Sequence, residues 1–228
     1  MSSDVHIQEN ALLHATRTLA ENPSLSLHFQ ANSPAPNPLS SQNALNLAPL
    51  QTLKKADMPR VRGSLDLWAA AQQWHNTHTH RKAALNNPAL SDALTLLELT
   101  RLEWLIADGL TGTGHNISDY QASLMPQLGL ENETLPTDLN NAQLGLLLSV
   151  MLKEQCTDRL AHESFIPYLL HYREILSDVL TQYGDTLFTL QRNQEAYAAK
   201  AQEMLLNAGI AIEEHKACLL YTSPSPRD

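Results

Sequence analysis

The sequence predicts a mostly α-helical protein, a multi-helix domain with a small β element near residues 24–50. Three observations point there. Leucine dominates an apolar fraction of 43%, while aromatic residues make up only 5%. Glycine is scarce, 8 residues in 228, which argues against glycine-rich nucleotide-loop folds. Long stretches also repeat apolar residues at the three-to-four spacing of a helix face.

Residues 4–21 read as a first helix, and the alternation in "SLSLHF" (24–29) suits a short strand. Residues 31–62, rich in Pro, Asn and Ser, read as a loop or linker with a short extended piece at "LNLAPL". A helix is expected from near Ser64, an N-cap candidate, to about Leu85, where Asn86-Asn87-Pro88 breaks it. The next, from about Pro88 to Ala107, is apolar on nearly every side, as expected of a central, buried helix. Residues 108–138 carry Gly109, Gly112, Gly114, Pro126, Gly129 and Pro136 and read as irregular. Their "TGTGHN" lacks the third glycine and the preceding strand of a phosphate loop, so it reads as an ordinary turn. Residues 141–155 place Leu144, Leu147, Leu148, Met151 and Leu152 at the spacing of an amphipathic helix. Two more helices are expected at 164–182 and 184–208. The last carries Leu187, Leu190, Gln194, Tyr197, Ala201, Leu205 and Ala208 on one seam, suited to packing on another helix.

Charge and composition exclude several classes. With a net charge of −9 and no basic run longer than two residues, no stripe exists for a nucleic-acid backbone. The longest apolar run, "LGLLLSVML", is too short for a bilayer, and "MSSDVHIQEN" lacks the regions of a signal peptide. Cys156 and Cys218 are too few for a disulfide framework. A cytoplasmic protein is expected, for which the glycosylation matches at Asn116 and Asn132 carry no meaning.

The most chemically loaded run is "HNTHTHRK" (75–82), with His75, His78 and His80. On a continuous helix His80 lies about 140° from His75 and about 160° from His78, so the three cannot converge on one metal. If the helix ends by Thr77, that constraint is lifted. A polar helix end, a transient metal site and a pH-sensitive contact all remain open. Glu98, Arg101 and Glu103 interrupt an otherwise apolar helix. Buried charges need partners, which Arg62, His75 or His80 can supply, giving a polar network that fixes helix register. A carboxylate pair acting as acid and base is the sharper alternative, without a nucleophile or cofactor motif beside it. Arg17, Arg159 and Arg192 read as solvated or as partner contacts, Cys156 as a buried thiol, and Trp68, Trp74 and Trp104 as core or interface anchors.

Collinear features resemble the CobT subunit family of the aerobic cobaltochelatase. "HATRTLAENPSLSLHF" (14–29) is similar to that family's opening helix and strand. "RVRGSLDLWAAAQQWHNTHTH" (60–80) resembles its Arg-Gly-x-x-Asp helix and His-Asp-x-x-x-His element, carried here by Arg62, Gly63, Asp66, His75 and His80, with Asn76 in the usual Asp place. Glu98, Arg101 and Glu103 match its Glu-x-x-Arg-x-Glu segment, and "YGDTLFTLQRNQEAYAAKAQEML" (183–205) its later helix, so the likeness spans about 10–212. "MLKEQCTDRLAHE" (151–163) matches only loosely.

The resemblance implies a non-catalytic part of an ATP-dependent complex that inserts Co²⁺ into hydrogenobyrinic acid a,c-diamide. Its partners would be the AAA+ ATPase subunit CobS and the large chelatase subunit CobN. The complex uses ATP, Mg²⁺ and Co²⁺, with no cofactor expected on this region. Residues 1–217 correspond to the family's N-terminal helical region. The Asp-x-Ser-x-Ser mark of its C-terminal von Willebrand A-type domain is not in this sequence, so a fragment is expected. The tail 218–228, "CLLYTSPSPRD", has no helical period and resembles translated sequencing-adapter sequence, which would make Cys218 non-native.

Overall fold

Helix α1 (Ser2–Leu19) turns Leu12 and Thr16 inward and ends in a left-handed residue, Glu21 (φ 50°). Arg17 Nε then donates to the Leu25 carbonyl at 2.8 Å, tying the helix to the strand that follows. The computed structural model describes all residues but 1, 32, 34, 35, 55, 56, 109, 131–134, 137 and 223–228, and the side chains of 2–4 and 217–222 are also left aside. Gly109, Asn132, the Cys218 side chain and the end of the 218–228 tail therefore lie outside the described residues.

Strands β1 (Ser26–Phe29) and β2 (Ala44–Leu47) pair in parallel, in the register Ser26 to Ala44 through Phe29 to Leu47. A parallel pair needs a long crossover. Here residues 30–43 supply it, pinned to α2 (Met58–Trp74) where Trp68 Nε1 and Gln72 Nε2 donate to the Ser40 carbonyl at 3.1 and 3.0 Å. The 31–62 segment is thus not a free linker: it holds β2, a 3-10 turn and the start of α2. That start is six residues before Ser64, because Pro59 sits in the first turn, where its missing N–H costs nothing.

The helix expected over 64–85 is two. α2 stops at Trp74 and α3 (Thr77–Asn86) begins afresh, with Asn76 Oδ1 accepting from Thr79 N at 3.0 Å. α4 (Ser91–Ile106) follows as expected. α5 (Thr111–Ala122) occupies a segment expected to be irregular. Its glycines lower helix propensity, but packing overrides this. Ile117 is fully buried, and the helix lies so close on α2 that a Cβ at Gly63 would overlap the Asn116 carbonyl oxygen.

α6 (Asn141–Cys156) opens with a capping box, Asn140 and Gln143 each holding the other's main-chain N–H. It is buried on every side from Gln143 to Lys153, more than the amphipathic helix its leucine spacing suggested. α7 (Ile166–Thr189) and α8 (Gln194–Thr222) divide at a 3-10 turn over 190–192, not near residue 183. The division falls there because Asn193 Oδ1 caps α8, accepting from Ala196 N at 3.1 Å. α8 also runs through the start of the tail that shows no helical period.

Two cores result. One joins α1, the sheet, α2 and α5. The other joins α6, α7 and α8. α4 serves both, giving Leu99, Leu102 and Ile106 to the first and Leu94, Leu97 and Trp104 to the second.

Candidate functional site

A helix that serves two cores has little solvent face on which to place a charge, yet α4 carries three in its buried stretch, besides the exposed Asp92 of its first turn. Glu98, Arg101 and Glu103 are all at most 3% exposed. The structure sorts the charged positions into three separate joints rather than one network.

The largest joint lies where α2 ends. Arg101 donates to Glu98 twice, Nε to Oε2 at 2.8 Å and Nη2 to Oε1 at 2.6 Å. Its remaining capacity goes to main-chain carbonyls at the ends of two other segments. Nη2 reaches Trp74 O at 2.7 Å and Nη1 reaches Gln191 O at 2.8 Å. One guanidinium thus holds α4, the end of α2 and the turn before α8, a task suited to its planar five-donor fork. His75, the residue that closes α2, places Nδ1 2.7 Å from Glu98 Oε1. Gln194 completes the joint: its Nε2 donates to Glu98 Oε1 at 3.1 Å and to Asn76 O at 3.3 Å, and its Oε1 accepts from Asn76 N at 2.7 Å. Burial pushes Glu98 up, but hydrogen bonds and charge from Arg101 and His75 outweigh it, holding the carboxyl below its usual value.

His80 reaches the edge of this joint because the chain breaks at 75–76. Its ring stands 5.3 Å from that of His75, and its Nε2 lies 3.3 Å from Thr95 Oγ1 rather than touching a carboxylate. Burial lowers its pKa from the ordinary 6.5. His78 takes no part in these bonds. Among the described residues, no three His, Cys, Asp or Glu side chains are grouped so as to hold a metal ion.

Glu103 belongs to a different joint, on the side of α4 away from His75 and His80. Its Oε2 accepts from Gln121 Nε2 at 3.1 Å, while Oε1 lies 4.0 Å from Lys153 Nζ and 3.8 Å from Arg159 Nη1. Lys153, 1% exposed, donates to Ser118 Oγ at 2.7 Å and Gln121 Oε1 at 2.9 Å. Burial raises Glu103 and lowers Lys153, each against the pull of the opposite charge. The third joint pairs Arg62 with Asp66 at 2.7 Å on α2, with Asn116 of α5 donating to Asp66 at 3.3 Å. Burial raises Asp66. Neither Arg62 nor His80 compensates Glu103, contrary to the expectation of a single network.

Sequence reasoning missed Lys153, Gln121, Ser118, Asn116 and Gln194. Lys153 had a visible signal, since it follows directly on the apolar run "LGLLLSVML". Gln194 had a weaker one, a polar residue on the seam of α8. Of the anchors, Trp68 and Trp104 are buried. Cys156 is half-buried, and burial with nearby Asp185 pushes its thiol up to about 11.

Fold and joints together define a class: an α-helical scaffold in which buried charged side chains fasten helix ends to one another. Within that class, the profile of the family described as cobalamin biosynthesis protein CobT matches residues 4–217, and the chain belongs to that family. No curated protein and no solved structure matches it. No helix among the described residues is long and apolar enough to cross a membrane.

Proposed function

We propose that this chain is the N-terminal helical region of a CobT-type subunit of an ATP-dependent cobaltochelatase. In this reading it acts in the cytoplasm as a non-catalytic assembly and coupling element beside the AAA+ ATPase subunit CobS and the large subunit CobN. Co²⁺ is the cargo of the complex, and ATP with Mg²⁺ is spent on the ATPase subunit. The family match over residues 4–217 carries this reading. The geometry supports the non-catalytic part of it. Glu98 and Arg101 spend their bonding capacity on each other, on His75 and Gln194, and on main-chain carbonyls at two helix ends. Such side chains hold a shape rather than await a substrate.

The test is co-purification of this chain with a purified AAA+ chelatase subunit in the presence of ATP and Mg²⁺. A stable complex, together with stimulated cobalt insertion when the large subunit is added to a full-length CobT, is the expected result. Failure to associate under any nucleotide state would overturn the coupling role.

A further inference from the structure

The second joint opens onto a cavity of about 320 Å³ between the end of α4, the last residue of α6 with the 157–159 segment after it, and the turn before α8. That volume is at the small end of ligand sites, which run from about 300 Å³ upward. Its wall includes Trp104, Phe188, Arg159, Arg192, Asp108 and Asp158. Arg159 is the uncommon member. Its side chain is only 26% exposed, yet its guanidinium donates no hydrogen bond to any described residue, and Nη1 is buried 3.8 Å from Glu103 Oε1 without one. Arg101 next door uses both Nη atoms and Nε. The buried indole Nε1–H of Trp104 likewise has no acceptor among the described residues. Arg192, Asp108 and Asp158 are exposed at the rim and form no ion pair among the described residues.

The charges lining the cavity are two positive and two negative. A bare anion would lose to the aspartates much of what it gained from the arginines, and a bare cation the reverse. A molecule carrying both signs a few bonds apart gains from each. We propose that this cavity binds a small zwitterion, an amino-acid-like molecule whose carboxylate lies on Arg159 and whose ammonium lies among Asp108 and Asp158. The half-buried planar guanidinium suits the carboxylate, since such forks pair bidentately with carboxylates. Phe188 and Trp104, whose ring centroids are 5.3 Å apart, form the apolar side. The proposal stands on residues outside the His75–Glu98 joint and does not depend on a role in a chelatase.

The test is an NMR titration of the ¹⁵N-labelled 228-residue chain, read at the tryptophan indole and arginine Nε signals. The probes are glycine, acetate and methylammonium. Trp68, whose indole is bonded to Ser40 O, is an internal reference that must not move. Glycine is expected to shift the Trp104 and Arg159 signals saturably in the millimolar range, with acetate and methylammonium each at least about tenfold weaker. Arg159→Gln abolishes the shift, and Asp158→Asn, at the exposed rim where folding is not at stake, brings glycine down to the level of acetate. No saturable shift, equal affinity for glycine and acetate, or indifference to Asp158→Asn would each overturn the proposal.

Discussion

Replacing Glu98 by Gln keeps the shape of the side chain and removes its charge. The Arg101 guanidinium, 1% exposed, is then left charged and buried, holding Trp74 O and Gln191 O but no counter-charge. Removing one member of a buried pair costs about 3–5 kcal/mol. Glu98 accepts two bonds from Arg101 and one from Gln194, and lies 2.7 Å from His75, so the upper half of that range is expected. For a chain of this length, each kcal/mol lowers Tm by about 2–4 °C, so Glu98→Gln should melt roughly 8–20 °C early. Urea unfolding followed by circular dichroism at pH 7 measures it. The double-mutant cycle with Arg101→Met isolates the pair from the two carbonyls that Arg101→Met itself orphans. The sign of the pH dependence is also fixed. Because the folded pKa of Glu98 is lowered from 4.5, its contribution is present above that value and lost as pH falls through the folded pKa, so wild type and Glu98→Gln should converge in acid. A destabilisation below about 1 kcal/mol, or a coupling energy below about 0.5 kcal/mol, would refute the view of this joint as a fastening.

Three further outcomes are expected. Lys153→Met should cost less than an unpaired buried charge, about 3–5 kcal/mol, because Glu103 keeps Arg159 at 3.8 Å, and adding Glu103→Gln should recover much of the loss, both read by urea midpoints. Burial lowers the His80 pKa from 6.5, so its unfolded form takes up a proton first and stability falls as pH drops from 6.5 to the folded pKa. His80→Gln should flatten the stability curve in that window. Gly145→Ala should destabilise by about 1–3 kcal/mol or more, because its new methyl overlaps the backbone of Ala93 on α4, measured by the thermal midpoint.

The fold class was legible because leucine spacing reports helices whatever they pack against; the alternation in 24–29 reported the first strand, and the second overlaps the short extended piece expected at "LNLAPL" (45–50). Boundaries were less legible where a single side chain decides them. Asn76 and Asn193 each end one helix's claim on the chain by offering an oxygen to the next helix's first N–H groups, but asparagine is common in this sequence and only its bond identifies the cap. α5 was hidden because its two glycines argue against a helix locally, while Ile117 and the close approach at Gly63 argue for one only once α2 is in place. The joints divide similarly. The Glu98–Arg101 pair is a spacing of three on one helix and can be read from the chain alone. That Gln194 arrives from nearly a hundred residues away, and that Glu103 turns to Lys153 rather than to a histidine, depends on which helices α4 lies between.

The position of α4 bears on how the protein can come apart. A helix whose alternate sides complete two cores is a shared wall, and neither room can be opened while the other stays closed. Arg101 strengthens this, since lifting it frees the ends of segments that belong to both halves. The molecule should therefore unfold as one cooperative unit, with no half-open state in which one core persists alone. The two cores should then respond to a perturbation together, which is what the proposed coupling role would ask of this region.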